Sequence, residues 1–419
     1  MSNIYHSDIY QFNKPVPSYW EATSSENLNL DKLQKDISSE IVVIGGGYTG
    51  LLCAINLIEN YNLDVVLVEA GKVGWGASSR NAGFCCLPPS KMSYKKMQSV
   101  YGTEETKKFF KNSVEGANYT KELIDNYNID CDVTGENNFV VAHHKNKFDQ
   151  IKEQAEVYKS EFGIETKVYS KEEFDEVGHG GTEQFGAFSY KPGFAINPLK
   201  FVNGLAKYAL SKKLKIYEHT KVEKIEKENE SYLLRTNEGS IKTKKIVVAT
   251  NGFYQEGLIP EMDGRVLPVI SNIIVTRPLT NEELSLHNFN TYAPIANSKN
   301  LLYYYRKLPD NRILFGTRGD FEGSDQSNQN RANDMEKFLK NIFPKWSKVT
   351  IDYNWRGLIA LSQKLTPSIG KIDNEEIYYG FGYSGVGVSA APWTGKQLSK
   401  LVFSSNSKYL DISKIYKGL

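Results

Sequence analysis

The chain has few of the residues that staple or anchor a protein. Its four cysteines, Cys53, Cys85, Cys86 and Cys131, are too sparse in 419 residues for a disulfide framework and lack zinc spacing, so no metal is expected. The adjacent pair Cys85-Cys86 is read as two buried thiols, because a bridge between neighbours is strained. No apolar run approaches the roughly eighteen residues needed to cross a bilayer, and no apolar leader follows Met1, so a cytoplasmic protein without a membrane span is expected. Arginine is scarce, nine against forty-two lysines, and the formal net charge is only +2. The lysines are dispersed rather than gathered into a stripe, which sets aside nucleic acid and other polyanions as partners. Oligomeric state is not legible.

What is present is enough for a large core: 40% of residues are apolar, with 26 Tyr and 20 Phe. The length suggests two or three lobes. The most informative stretch is IVVIGGGYTGLLCA. Gly45, Gly47 and Gly50 follow a run of branched apolar residues, and Glu69 closes a second apolar run, DVVLVEA. A strand turning sharply into a helix, with its backbone pressed against a pyrophosphate and free N–H groups at the helix start, needs glycine at those places. The nineteen-residue gap from Gly50 puts Glu69 where a carboxylate accepts from the hydroxyls of an adenosine ribose. The pattern therefore predicts a dinucleotide, FAD or NAD, with Tyr48, Thr49 and Ala70 beside it.

Directly after Glu69 comes GKVGWGASSRNAGF, residues 71–84, which resembles the second flavin signature of the D-amino-acid oxidase-like FAD oxidoreductases. In that family the loop Gly76, Ala77, Ser78, Ser79, Arg80, Asn81, Ala82, Gly83 passes along the pyrophosphate and flavin. Small residues let main chain approach a flat ring, and Arg80 and Asn81 offer donors to phosphate or flavin oxygens. The resemblance runs along nearly the whole chain in family order. Val222 matches the position whose backbone meets the adenine. Ala249, Thr250, Asn251 and Gly252 match a strand-end turn over the cofactor. Gly357 belongs to a W-R-G strand, and Gly382, Ser384, Gly385, Val386, Gly387 and Val388 match the last glycine loop, which leads into a helix aimed at the flavin's pyrimidine end. The family more often has His where Val386 stands, leaving backbone N–H groups and the positive helix end to stabilise charge there. The wording WGASSRNAGF and PSYWEAT is similar to the gamma-glutamylputrescine oxidoreductase branch.

The resemblance implies an α/β fold: a Rossmann-like FAD-binding domain interleaved with a β-rich (α+β) substrate domain. The expected division is 1–90, 190–260 and 355–419 for the cofactor, held non-covalently, and 91–189 and 261–354 for the substrate. Residues 15–23 read as a strap over the first domain. Helical spacing marks 103–126 and 146–162, and NNFVVAHH at 137–144 reads as a strand. Asn197-Pro198 opens a helix, with antiparallel strands following to IVVAT. The second lobe contains LPVISNIIVTRPL, a hairpin turned at Pro309-Asp310-Asn311, and a helix at 331–343.

The family's chemistry is removal of hydride from the carbon beside an amine nitrogen to flavin N5, leaving an imine that water hydrolyses; O2 or another acceptor then takes the electrons. An apolar, aromatic pocket that disfavours an ammonium would help, and no general base is assigned. Glycine and D-amino-acid oxidases clamp the substrate carboxylate with an Arg at the position of Ile359, and sarcosine oxidases use a Lys where Ser389 stands. Both anchors being absent, a small-molecule amine such as a polyamine derivative, gamma-glutamylputrescine among them, is expected. The alternatives are a sarcosine, glycine or D-amino-acid type of dehydrogenase or oxidase, a flavin-binding scaffold without catalysis, and an NAD enzyme. Candidate pocket residues are Tyr304, Arg306, Arg318 and Arg356, with Tyr303 and Tyr305 on the opposite face of the strand.

Overall fold

The computed structural model describes residues 4–24, 26–406, 408 and 410–419. Ile41–Ile44 and Val65–Val68 are buried at every position, as branched residues in a strand covered on both faces must be. They sit inside a six-stranded sheet ordered Ser368–Lys371, Ile377–Phe381, Lys245–Val248, Ile41–Ile44, Val65–Val68, Lys215–Tyr217. All neighbours are parallel except Ser368–Lys371, which runs against Ile377–Phe381. This is a doubly wound sheet whose strands come from four separated parts of the sequence. Its Ile41 and Val43 join the largest core cluster, while Val42 and Ile44 pack on the other side with Val222, Tyr232, Leu234 and Ile241. Those last residues belong to a four-stranded sheet of Ile37–Ser38, Ser240–Thr243, Ser231–Thr236 and Val222–Glu228.

An eight-stranded sheet forms the second layer, ordered Ile351–Ser362, Val266–Thr276, Ile313–Arg318, Tyr304–Lys307, Ile295–Asn297, Asn138–Val141, Ala187–Lys191, Glu165–Tyr169. Strand Ile351–Ser362 runs unbroken through residue 355. Alternation along the Tyr304–Lys307 strand sends Tyr304 toward the largest core cluster, whereas Tyr303 and Tyr305 pack in a second cluster behind the sheet with Phe315 and Phe343. Helix Asp325–Ile342 lies on that rear side. It starts six residues before the expected 331, because Ser324 caps it and its first two turns carry no apolar residue to betray the period.

Helices Thr103–Asn126 and Pro198–Ser211 match their expected positions, and Phe148–Phe162 follows a short turn of 3₁₀-helix. Asn197 accepts from the Lys200 N–H and Pro198 occupies the first helical position, so the Asn-Pro start is set by its own side chain. The strap is tied to the loop that follows the second strand: Trp20 Nε1 donates to the Asn81 carbonyl at 3.0 Å, and the Trp20 and Trp355 rings meet edge to face. Among the described residues no helix is long and apolar enough to cross a membrane, and no cluster of His, Cys, Asp or Glu could hold a metal.

Candidate functional site

The glycine loops form one neighbourhood. At the end of Ile41–Ile44 the chain turns with Gly45 at φ +114°, and a Cβ there would lie 2.7 Å from the Ala249 carbonyl oxygen. A Cβ on Gly50 would collide with the Gly45 carbonyl, so helix Tyr48–Tyr61 can leave the strand this tightly only with glycine at that place. The second loop is fastened to the first: Ser78 Oγ accepts from the Tyr48 N–H at 3.1 Å, and Tyr48 donates its hydroxyl to the Ser78 carbonyl at 2.8 Å. Thr49 and Tyr383 share a hydroxyl hydrogen bond of 2.7 Å, which joins the first loop to the last one. Gly382 N–H donates to Asn251 Oδ1, linking the 249–252 turn to the same last loop.

Glu69 stands at the end of the second strand. Its carboxylate accepts from the Gly46 and Gly71 N–H groups at 2.7 and 2.9 Å, and burial lifts its carboxyl above the usual range against those two bonds. Ala70 follows it at the rim, and Val222 lies beyond the Thr220 N–H that donates to the Glu69 carbonyl. On the second loop Arg80 is 8% exposed and, among the described residues, forms no ion pair. Its Nε donates to the Trp75 carbonyl at 2.7 Å and its guanidinium lies 3.9 Å from the Trp75 ring centre. Burial, and then the charge of Arg356, brings it down to about 9. Trp355 Nε1 holds the Arg80 carbonyl at 2.8 Å, a positioning role that sequence did not suggest.

These residues line a cleft, as the accessibility pattern shows. Gly357 and Ile359 are partly exposed while Leu358 between them and Arg356 and Ala360 on either side are buried, so the face of Ile351–Ser362 bearing Gly357 and Ile359 opens onto space. Gly47, Glu69, Gly76, Ala77, Ser78, Asn81, Thr250, Tyr304, Arg318, Gly385, Val386 and Gly387 are likewise accessible next to buried neighbours, whereas Ser79, Ala82, Gly83, Ala249, Gly252, Gly382, Ser384 and Val388 are buried behind them. The open recess along the 228–231 turn lies elsewhere; Lys227, Glu228, Lys242 and Lys244 line it and no glycine loop reaches it.

The cleft suits FAD on three counts. First, three accessible helix starts, Gly47, Gly76 and Val386, carry no side-chain cap of their own, leaving first-turn N–H groups other than those of Tyr48 and Ser79 for an anion, whereas Ser, Thr or Asn caps the helices at 18, 93, 170, 197, 280 and 324. Gly102 and Lys147 are the other uncapped starts. Second, Arg80 is a buried cation that, among the described residues, makes no ion pair, the Glu21 carboxylate acting on it only from beyond contact. Third, Thr250 Oγ1 is buried with no partner.

The substrate candidates separate. Tyr304 lies flat on Gly316, its partner across the strand pair, where a Cβ would collide with the ring. Its hydroxyl meets Ser271 Oγ at 2.8 Å, and Phe84 stands edge-on to it at 5.9 Å between ring centres. Arg318 shares that face, opposite Ser271. A Cβ built on Gly385 would lie 3.1 Å from Arg318 Nη2 and 3.9 Å from Ile359 Cδ1, so the last loop, Arg318 and Ile359 converge. Arg306 is on the same face but 1% exposed, sealed under the second loop and donating to the Ile196 carbonyl. Arg356 lies on the rear face and pairs with Asp325 at 2.8 Å, so its strand delivers Ile359 rather than Arg356 to the cleft. Ser389 is buried and donates to the Cys86 carbonyl at 2.6 Å.

The model for FAD-dependent oxidoreductases of the DAO family matches residues 40–401. The chain belongs to that family. FAD is its cofactor and it is an oxidoreductase. It is 30% identical to the gamma-glutamylputrescine oxidoreductase of Escherichia coli K12 over 386 residues, 92% of this chain and 88% of that protein. Among solved structures, L-proline dehydrogenase from P. horikoshii superposes with a TM-score of 0.70 at 22% identity, covering 90% of this chain and 95% of that one. Glycine oxidase from Geobacillus kaustophilus gives 0.71 at 18%, covering 90% and 98%.

Proposed function

We propose that this protein oxidises the C–N bond of a primary or secondary amine, a polyamine derivative of the gamma-glutamylputrescine kind, with FAD bound non-covalently along Gly45 to Gly50, Glu69, Gly76 to Gly83, Ala249 to Gly252 and Gly382 to Val388. Bound FAD would take up the hydride released from the carbon beside nitrogen. The observation that carries the substrate side is Ile359: the position facing the cleft, where relatives hold an α-carboxylate with arginine, is an alkyl group here. The relative in E. coli, at 30% identity, is named for such an amine.

The chain's own residues would bind and orient. Phe84, Tyr304 and Ile359 give a wall that solvates an ammonium poorly, so the nitrogen sits neutral with its lone pair available. The uncapped start of helix Gly387–Ser404 places positive potential at one end of the cleft, where negative charge develops on reduction. Tyr304 keeps its proton, because burial raises its hydroxyl above the ordinary range.

Anaerobic mixing with a panel of amines and amino acids tests this reading. Gamma-glutamylputrescine or simpler primary and secondary amines should bleach the flavin band; bleaching by free α-amino acids alone would overturn the proposal in favour of an amino-acid dehydrogenase or oxidase.

A further inference from the structure

Resting on the cofactor placement above, we propose that Arg306 raises the reduction potential of the bound flavin, as an unpaired positive charge sealed beneath the end of the 76–83 loop.

Among the described residues three arginines are buried, Arg80, Arg306 and Arg356. Arg356 has the Asp325 carboxylate at 2.8 Å. Arg80 and Arg306 make no ion pair, and both sit at the second glycine loop. Arg80 belongs to that loop, whereas Arg306 reaches it from strand Tyr304–Lys307 of the eight-stranded sheet. Arg306 Nη2 donates to the Ile196 carbonyl at 2.7 Å, and the Ile196 N–H donates in turn to the Gly83 carbonyl at 2.9 Å. A Cβ on Gly83 would lie 3.0 Å from the same Nη2, so the guanidinium stands directly against loop main chain.

This charge is supported without being neutralised. Arg306 is 1% exposed, and its Nε is buried with no partner. The Trp20 ring centre lies 5.4 Å from the guanidinium carbon; an aromatic face attracts a cation but brings no countercharge. Tyr19 and Asp132 act on it only from beyond contact. The Asp132 carboxylate is already taken by Lys200 at 2.7 Å and Asn197 at 3.2 Å, and burial keeps the Tyr19 phenol protonated. Withdrawing a cation from water with one hydrogen bond and no anion opposes folding, and an apolar chain of the same length would fill the space without that penalty. The charge does have an effect on its surroundings, because a buried field is little screened by salt or solvent. Amine oxidation moves two electrons and one proton together, as hydride, from the carbon beside nitrogen to the flavin; the substrate becomes an iminium and the cofactor gains one negative charge. A fixed cation under the loop therefore favours the reduced cofactor over the oxidised one.

The test is an anaerobic redox titration of the holoenzyme against reference dyes, with FAD affinity measured alongside. In the wild type, bound flavin should have a higher potential than free FAD. Arg306→Met should disfavour the reduced cofactor about tenfold relative to the oxidised one, a drop of about 30 mV for this two-electron couple, and Arg306→Lys should restore the potential. Leu314 is the cross-strand neighbour of Arg306 on the same face, so Leu314→Asp supplies the missing anion and should lower the potential, whereas Leu314→Asn should not. Trp20→Phe removes the hydrogen bond to the Asn81 carbonyl and should weaken both redox forms equally, which is how purely structural support behaves. A wild-type potential at or below that of free FAD, or Arg306→Met holding FAD at the wild-type potential, would overturn the proposal. Where Arg306→Met does not retain FAD, the Leu314 pair decides, and equal potentials in the two variants overturn it. No amine enters this titration: a protein that no amine reduces would sink the amine reading and leave the role of Arg306 standing, and an unshifted potential would do the reverse.

Discussion

Two glycines three residues apart make opposite demands, and that difference can be measured. A Cβ on Gly47 would lie 2.8 Å from Ser78 Oγ, the end of a short side chain that can turn away, whereas a Cβ on Gly50 would run into the fixed Gly45 carbonyl. Gly47→Val should therefore purify colourless with its circular dichroism unchanged, its side chain filling space reserved for the pyrophosphate. Gly50→Ala should lower the Tm of the apoprotein itself, by an amount typical of core overpacking, about 1 to 3 kcal/mol. At this scale the sequence was readable where only one residue type fits, as with the tight strand-to-helix turn at Gly45 and Gly50. It was unreadable where sheet register decides: Arg356 and Arg318 differ only in which side of a sheet they leave. That choice depends on register, which a single chain does not display.

Among the elements, those with a sustained apolar period or a turn-forming sequence were legible to the residue. Thr103–Asn126 begins and ends where its spacing says, and the hairpin between Tyr304–Lys307 and Ile313–Arg318 turns with Asn311 at φ +62° as Pro-Asp-Asn suggests. Asp325–Ile342 was foreshortened because a polar opening leaves no period to count. Caps are testable one at a time. Asn197 both accepts from the Lys200 N–H at 3.2 Å and donates to Asp132 at 3.2 Å, at the start of Pro198–Ser211. Asn197→Ala should cost about 1 to 2 kcal/mol in urea unfolding with an unchanged m-value, and Asn197→Asp should recover part of it.

For the whole molecule, acid stability rests on the packing behind the eight-stranded sheet. His179 is fully buried, its Nε2 meeting the Tyr305 hydroxyl at 2.8 Å and its ring against Phe174, Phe289 and Phe343. Burial, with His287 nearby, depresses its imidazole from 6.5 to about 3. Between those values the unfolded chain binds a proton that the folded one refuses, so stability falls as pH drops from about 6.5 toward 3. Removing that proton site should flatten the acid limb of a Tm against pH curve: His179→Phe is expected to lose less Tm than wild type between pH 7 and about 5, whatever its value at neutrality. An equally steep limb would assign the acid sensitivity to other groups.

The six-stranded sheet also fixes a timetable. Ile41–Ile44 pairs on one side with Val65–Val68, but its other neighbour is Lys245–Val248, which in turn waits for Ile377–Phe381. During synthesis the first glycine turn is therefore made early and left without its Ala249 wall, and the Thr49–Tyr383 bond is among the last to form. Ribosome-bound fragments that stop before residue 377 should consequently remain unable to retain flavin.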